Sequence, residues 1–544
     1  FFCYRYEMLF GFVHGLHFVP IQPVAITVAA IIVCLVLYFH FYCGRQCRLS
    51  VVDVFVIGIF CCLFIRSVGS EADGIMRLGW FVLGGWYWVS RNLSENTKRR
   101  LWDILPFIIM VQWVYGIFCL LEEKAPGVSW SMVKGMFPNT ALWGQFLSIC
   151  IVILWGQLLY YKSNWRIVLY RSVCLLGEIF LLVASDSRGA WLGALSGCLL
   201  VSYWRFNFSG GWKWICCISG VLLAIVFCWW LYHYKLDSAN GRLLIWRNCL
   251  AMMAEKPVWG WGIDGVRKYY MLFQGEYFRI HPDSFYNTLA GNTFYAFNEI
   301  LRIGVEHGLV GIAGIVVGGW FMFKNSEKSA LGYIIKAALF CFVVFAQFSY
   351  PLSDWLLSLF LVFLLASLPI KSYGMGYNFY FRLIVQVILL GVGIMLSIWS
   401  LRFCTAYGKW DKTFVSRDMK QNLEIMENAY PFLKQHPFFL QNYGRQLNQA
   451  GEFEKACGIL KEAQRNYATY PVFVEWGKSL AATGRKEDAL VCWGKAACMI
   501  PNRFTPLYLQ MKLYQEIGEY STAKEYAKEI MAKHRKMDSP KLYK

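Results

Sequence analysis

Charge is what this sequence lacks most. Asp, Glu, Lys and Arg together make up 16% of its 544 residues, while 57% are hydrophobic and 18% aromatic. Mean hydropathy is positive, and so little charge cannot cover a single water-soluble domain of this length. Metal-ligand spacing is missing as well. Of 19 cysteines, most, including Cys34, Cys61, Cys62, Cys119, Cys216 and Cys217, lie inside apolar runs, where a thiol behaves as a small hydrophobe. Cys43 and Cys47 are followed by no second pair at zinc-like spacing. The outer loops contain no Asp-x-Asp and no carboxylate pair spaced for a hard cation, so neither a metal nor a cofactor is expected. Residues 1–20 lack an unbroken apolar run, because Glu7, His14, His17 and Pro20 interrupt it. Neither a signal peptide nor a full span is expected there. The chain opens at Phe1 without Met, which leads us to expect a preceding segment.

What is present is a series of apolar runs, recurring as far as about residue 404. Each is near the roughly 17–25 residues that a helix needs to cross a bilayer core. They cover 22–42, 51–67, 75–90, 102–121, 139–161, 167–185, 189–204, 213–232, 303–323, 331–350, 352–370 and 381–403, about a dozen expected spans. The net charge of +19 would suit nucleic acid, but the positions of the bases argue otherwise. Arg45 and Arg48, Arg91 with Lys98, Arg99 and Arg100, Lys162 and Arg166, Arg205 and Lys213, Lys324 and Lys328, and Lys371 and Arg382 all sit in short gaps between runs. Lys and Arg are retained on the cytoplasmic side of membranes, and placing every one of these gaps there gives strict alternation. The outer gaps are then 68–74, 122–138, 185–188, 233–300, 349–354 and everything after 404, and they include Glu71, Asp73, Glu122 and Glu123. Membrane lipids are expected partners and nucleic acid is not. The expected fold is all-α, with a polytopic membrane domain over 1–404 and a large outer loop at about 233–300.

Residues 405–544 turn polar and repeat. Tyr443, Gly444, Leu447, Gly451, Ala456, Leu460 and Ala463 are echoed by Trp476, Gly477, Leu480, Gly484, Ala489, Trp493 and Ala496, with Pro501 closing the second unit. A weaker third copy holds Tyr514, Gly518, Ala523 and Ala527, with Met511 where the others have glycine. The period is roughly 33–34 residues, with small residues where two antiparallel helices would cross, and the pattern resembles the tetratricopeptide repeat. A capping role accounts for the third unit's departure.

Two places break the apolar pattern in ways that chemistry could use. Ser185-Asp186-Ser187-Arg188-Gly189 abuts the next span, which puts Arg188 at the outer membrane face. Two readings stand for it: a guanidinium snorkelling to headgroups, or one facing a cavity or an anionic partner. The loop 233–300 is too long for a plain connection and too aromatic for disorder. Asn240-Gly241-Arg242 through Arg247 reads as a helix start followed by an amphipathic stretch, which Pro257, Gly260 and Gly262 then break. Glu299, Arg302 and Glu306 share one helix face by their spacing, and the bland reading of them is a salt-bridged interfacial helix.

The Ser187-Arg188-Gly189 turn, the Gly241-Arg242-x-x-x-Trp246 stretch, the Glu255-Lys256-Pro257-x-x-Gly260-x-Gly262 segment and the Asn298-Glu299 to Glu306-x-Gly308-x-x-Gly311 run occur in that order. Together they resemble the superfamily of O-antigen ligases and polymerases, which also includes bacterial protein O-oligosaccharyltransferases. The resemblance covers the membrane region, most specifically 185–311. It implies glycan transfer at the periplasmic face of the bacterial inner membrane, from a polyprenyl-diphosphate donor such as undecaprenyl diphosphate to an acceptor hydroxyl. The acceptor would be lipid A core, as in lipopolysaccharide assembly, or a protein. Arg188 and Arg242 match the family's arginines, and guanidinium forks suit a diphosphate that gathers charge as it leaves. Asn298 and Glu299 join them as catalytic candidates, while Arg247, Arg302, Glu306, His281 and Trp246 are substrate-binding candidates. Many ligases carry histidine where this chain has Phe297. Glu299 or His281 could serve as the base instead, or no protein base is needed at all.

Other functions remain open at this stage. A repeat-unit polymerase would differ only in its acceptor. The repeat tail suits a polypeptide or other large acceptor, or a protein partner, or simply props up the outer loop. A transporter is disfavoured because the two halves do not resemble each other. A catalytically inactive scaffold that presents the repeat tail would tolerate the loss of both arginines.

Overall fold

A computed structural model describes residues 21–42, 47–68, 74–122, 137–206, 229, 232–376, 378–414, 416 and 418–533. Residues 1–20, Cys43, Arg45, Glu71, Asp73, Glu123, Lys213, Cys216, Cys217 and nearly all of the expected span 213–232 lie outside the described residues. Within them the chain is almost wholly helical. The membrane half contains α1 (Ile21–Tyr42), α2 (Val51–Val68), α3 (Gly74–Arg91), α4 (Glu95–Glu122), α5 (Thr140–Tyr160), α6 (Trp165–Ala184) and α7 (Arg188–Phe206). After the outer segment come α10 (Glu299–Asn325), α11 (Ala330–Ala346), α12 (Trp355–Ser367) and α13 (Phe379–Lys412). Each expected span that the described residues cover falls on one of these helices. Four of them, α5, α6, α10 and α13, are long and apolar enough to cross a membrane.

Their packing follows from side-chain size. α5 is apolar all round and buried along most of its length, so it sits at the centre. Gly193 and Gly197 of α7 let it approach α11 closely: an added Cβ would stand 3.1 Å from the Cys341 carbonyl and 3.1 Å from that of Ala337, respectively. The gaps expected to be cytoplasmic meet one another at one end of the bundle. Strand β1 (Cys47–Leu49) pairs antiparallel with β2 (Tyr373–Met375). Arg91 donates to the carbonyls of Leu368 (2.8 Å) and Ile370 (3.1 Å) and pairs with Asp53 at 3.0 Å. Arg91 and Lys98 are therefore buried ties between helices, a role that their place among charged gaps did not suggest.

The loop and the tail form the other end. α8 (Leu236–Glu255) begins ahead of Asn240, which corrects the expected start: Asn240 lies inside the helix and accepts from the Tyr232 hydroxyl at 2.8 Å. α9 (Gly265–Ile280) follows. The expected boundary at 404 falls within α13, which runs unbroken to Lys412. Beyond it lie α14 (Met419–Leu433), α15 (Pro437–Ala450), α16 (Phe453–Asn466), α17 (Tyr470–Ala482), α18 (Lys486–Met499), α19 (Thr505–Ile517) and α20 (Tyr520–Ala532). The turns within the last three pairs carry Gly451, Gly484 and Gly518 at φ +82°, +80° and +91°, a backbone region that glycine enters without steric cost. Gly444 lies against Leu460 and Gly477 against Trp493, where any Cβ would clash.

The tail is docked, not hinged. Residues of α8 and α9 share one hydrophobic core with α17 and α18. Gln274 donates to the Met499 carbonyl at 2.6 Å, and Asn502 donates to the carbonyls of Asn287, Thr288 and Ala290.

Candidate functional site

The glycines of the loop have a specific task. α10 is interrupted at Gly308 (φ +64°, ψ −161°), which frees carbonyls on its first segment from the helical ladder. The loop after α8 fills them: Trp261 donates to Val305 at 2.7 Å and Gly262 to Glu306 at 3.0 Å, while Leu309 donates back to Pro257 at 2.8 Å. Contact is so close that a Cβ on Gly308 would lie 2.2 Å from the Val258 carbonyl, and one on Gly260 would lie 2.5 Å from that of Val305. The Glu-Lys-Pro-x-x-Gly-x-Gly segment and the Glu-x-Gly-x-x-Gly run are thus two halves of one clasp. It fixes the face of α10 that bears Arg302 and Glu306.

On that face Arg302 donates from Nε to Glu299 at 2.6 Å and lies 3.8 Å from Glu306. The other Glu299 oxygen accepts from the Leu352 amide at 2.9 Å. Both oxygens of the expected base are therefore occupied by a buried pair and a backbone N–H. Asn298 is the N-cap of α10, its side chain accepting from Leu301 at 3.0 Å. Trp246 donates to the Ala296 carbonyl at 3.1 Å and so pins the segment before the cap. Arg247 lies over the Tyr277 ring at 4.7 Å, and His281 packs on the same ring at the surface. These two stand apart from the other candidates.

Arg188 and Arg242 come together although they are far apart in sequence. Arg188 donates to the Lys235 carbonyl at 3.4 Å and to Ser238 at 3.3 Å, which holds it at the amino end of α8. Asp186 in the same turn pairs with Lys235. Arg242 projects from the second turn of α8 over the Phe297 ring, 5.6 Å from its centroid. Burial first, and then the nearby Arg188 charge, lower the Arg242 pKa to about 10, so it stays charged at neutral pH. Among the described residues no carboxylate pairs with it. Phe297 has φ +51°, unusual for a bulky residue. Its ring stands edge-on to Tyr350 at 5.2 Å, and Tyr350 stacks on Tyr295 at 4.0 Å.

Behind this aromatic wall lies a cavity of about 440 Å³. Sequence reasoning missed most of its polar lining. Arg267 and Asp264 pair at 3.2 Å immediately after the clasp, and the i,i+3 spacing was the available signal. Asp354 caps α12 by accepting from Leu357 at 3.0 Å. Tyr407, His436 and Phe438 reach in from α13 and the start of the tail. Arg302 and Glu306 line it too, whereas Arg188 and Arg242 do not.

Residues 172–316 match the family described as O-antigen ligase. The matched segment contains the Ser-Arg-Gly turn, both arginines and the whole clasp. No curated protein matches the chain. The matched segment and the apolar helices together suggest an integral membrane protein, part of which is similar to O-antigen ligases.

Proposed function

We propose that this protein transfers a glycan from a polyprenyl diphosphate to an acceptor hydroxyl at the periplasmic face of the inner membrane, with Arg188 and Arg242 holding the diphosphate. The observation that carries this reading is the Arg242 site. Arg242 is a half-buried guanidinium beside the Arg188 charge, and among the described residues no carboxylate pairs with it, so its own charge is costly unless an anion neutralises it. The acceptor oxygen attacks the anomeric carbon, the bond to the diphosphate breaks, and the departing phosphate oxygen gathers negative charge. Fixed guanidinium groups stabilise that charge more than they stabilise the bound donor. With both Glu299 oxygens engaged and Phe297 carrying no titratable atom, the acceptor proton passes to the leaving diphosphate without a protein base.

The twelve-span topology, with the loop, Arg188 and a tetratricopeptide-like tail on the outer face, belongs to the same proposal. Its support is the segregation of contacts: gaps rich in bases meet at one end of the bundle, and parts of the 233–300 loop, the 349–354 turn and the tail meet around the cavity.

Removing one such donor should slow transfer by about a hundredfold or more. Arg188→Ala and Arg242→Ala, assayed for transfer in membranes with intact expression, test this; unchanged transfer in both would remove the mechanism. Glycan profiling of a deletion strain then separates the acceptors. Loss of attachment with donor accumulation indicates a ligase, while shortened polymer alone indicates a polymerase.

A further inference from the structure

The cavity behind Tyr350 has a different chemistry from the arginine pair. Its lining holds three carboxylates (Asp264, Glu306 and Asp354) against two guanidinium groups, and both of those already contact carboxylates. No guanidinium in this lining is left without a carboxylate for a diphosphate to neutralise, and an acyl chain would strand the charges. A volume of about 440 Å³ falls within the range of small-molecule sites, roughly 300–1,000 Å³. Aromatic side chains share the lining with the carboxylates: Tyr295 comes from the outer loop, Tyr350 and Trp355 from the membrane half, and Phe438 from the tail. Such a surface matches a molecule with C–H faces and hydroxyl edges. Ionised carboxylates only accept hydrogen bonds, and vicinal hydroxyls supply donors in pairs.

We propose that this cavity is a saccharide-binding site that takes a pyranose unit of one of the two glycan substrates, with Asp264 and Asp354 accepting from its hydroxyls and Phe438 closing one wall. The proposal rests on the ligase reading only for the carrier of that sugar. It makes the tail part of the substrate site, because Phe438 and His436 open α15 and Tyr407 ends the membrane half.

Two conservative variants test this, and Asp354→Asn carries the test if loss of the Asp264–Arg267 pair lowers the melting temperature of Asp264→Asn. Asp354→Asn retains a side chain that caps helices nearly as well. Asp264 sits at φ +65°, which Asn also tolerates. With full-length protein in nanodiscs, tryptophan fluorescence is titrated with free glucose, galactose and N-acetylglucosamine, and binding of bare undecaprenyl diphosphate is followed in parallel. We expect at least one sugar to saturate the wild type and both variants to weaken it by about tenfold or more, with diphosphate binding unchanged. In transfer assays a raised KM for the donor assigns the site to the donor's sugar, and a raised KM for the acceptor assigns it to the acceptor's. Failure of all three sugars to saturate the wild type, or variants that bind and transfer like it, overturns the proposal. If Arg188→Ala and Arg242→Ala transfer normally while Asp264→Asn and Asp354→Asn lose sugar binding, the mechanism falls and the saccharide site stands. The opposite pattern sinks the site and keeps the mechanism.

Discussion

Glu299 and Arg242 were both chosen from motifs, and their surroundings separate them. Glu299 has one oxygen on Arg302 and the other on the Leu352 amide, so its carboxylate is a strut between α10 and the turn before α12. Glu299→Gln weakens a buried pair and should cost on the order of 3 kcal/mol. The expected readout is a lower melting temperature in detergent, with transfer per folded molecule changed only a few-fold. A normal melting temperature with transfer abolished would restore Glu299 as the base. Phe297 shows the opposite kind of constraint. Its left-handed backbone costs on the order of 1 kcal/mol, and the ring contacts with Arg242 and Tyr350 hold it there. Phe297→His keeps an aromatic ring at the position but adds a group that titrates near neutrality. A protonated imidazole would face Arg188 and Arg242, so it should ionise only below the ordinary histidine range. We expect the pH–rate profile of this variant to acquire a new ionisation in mildly acidic solution, absent from the wild type.

The helices show what periodicity can and cannot deliver. The apolar runs of α5, α7 and α11 are bounded by polar or charged residues, so their positions follow from composition with errors of a few residues, whereas α13 continues past its apolar run to Lys412. The clasp does not follow in that way. Pro257, Gly260 and Gly262 read as a helix break, and Gly308 reads as a small residue at the start of a span; nothing local says that the two segments hydrogen-bond to each other. Their conformations are nonetheless the most demanding in the loop. Gly308→Ala places a methyl group 2.2 Å from the Val258 carbonyl at a positive φ, and it should destabilise by more than about 3 kcal/mol. Gly314 lies on the same helix with nothing within 4 Å of its added Cβ, and Ala there should be neutral or gain up to about 1 kcal/mol. Thermal denaturation of the two variants side by side checks the contrast. Equal melting temperatures would mean that the clasp does not bear on stability.

At the scale of the whole molecule, the outer gaps were identified one by one but their convergence was not. The cavity draws Met76, Asn139, Asp264, Tyr350, Tyr407 and His436 from six separate stretches, and its geometry depends on contacts hundreds of residues apart. The tail was legible as a repeat, since glycine turns and small crossing residues are local features. Its docking rests on Gln274, Met499 and Asn502, which no pattern singled out. His436 marks the junction. It opens α15, packs against Tyr407 and Trp410 of α13, and faces the cavity beside Arg267. Burial first, and the Arg267 charge second, lower its pKa to about 3, against an ordinary value near 6.5. The folded chain therefore holds this imidazole neutral where the unfolded chain would protonate it. The stabilising effect is complete above about pH 6.5 and is lost as pH falls toward 3, because protons then favour the unfolded state. Acid should loosen the junction before the membrane bundle, with Trp410 fluorescence reporting the change. His436→Gln removes the titrating group, so its stability should vary less between pH 4 and 6.5 than that of the wild type. Identical acid profiles for the two proteins would place the acid sensitivity elsewhere.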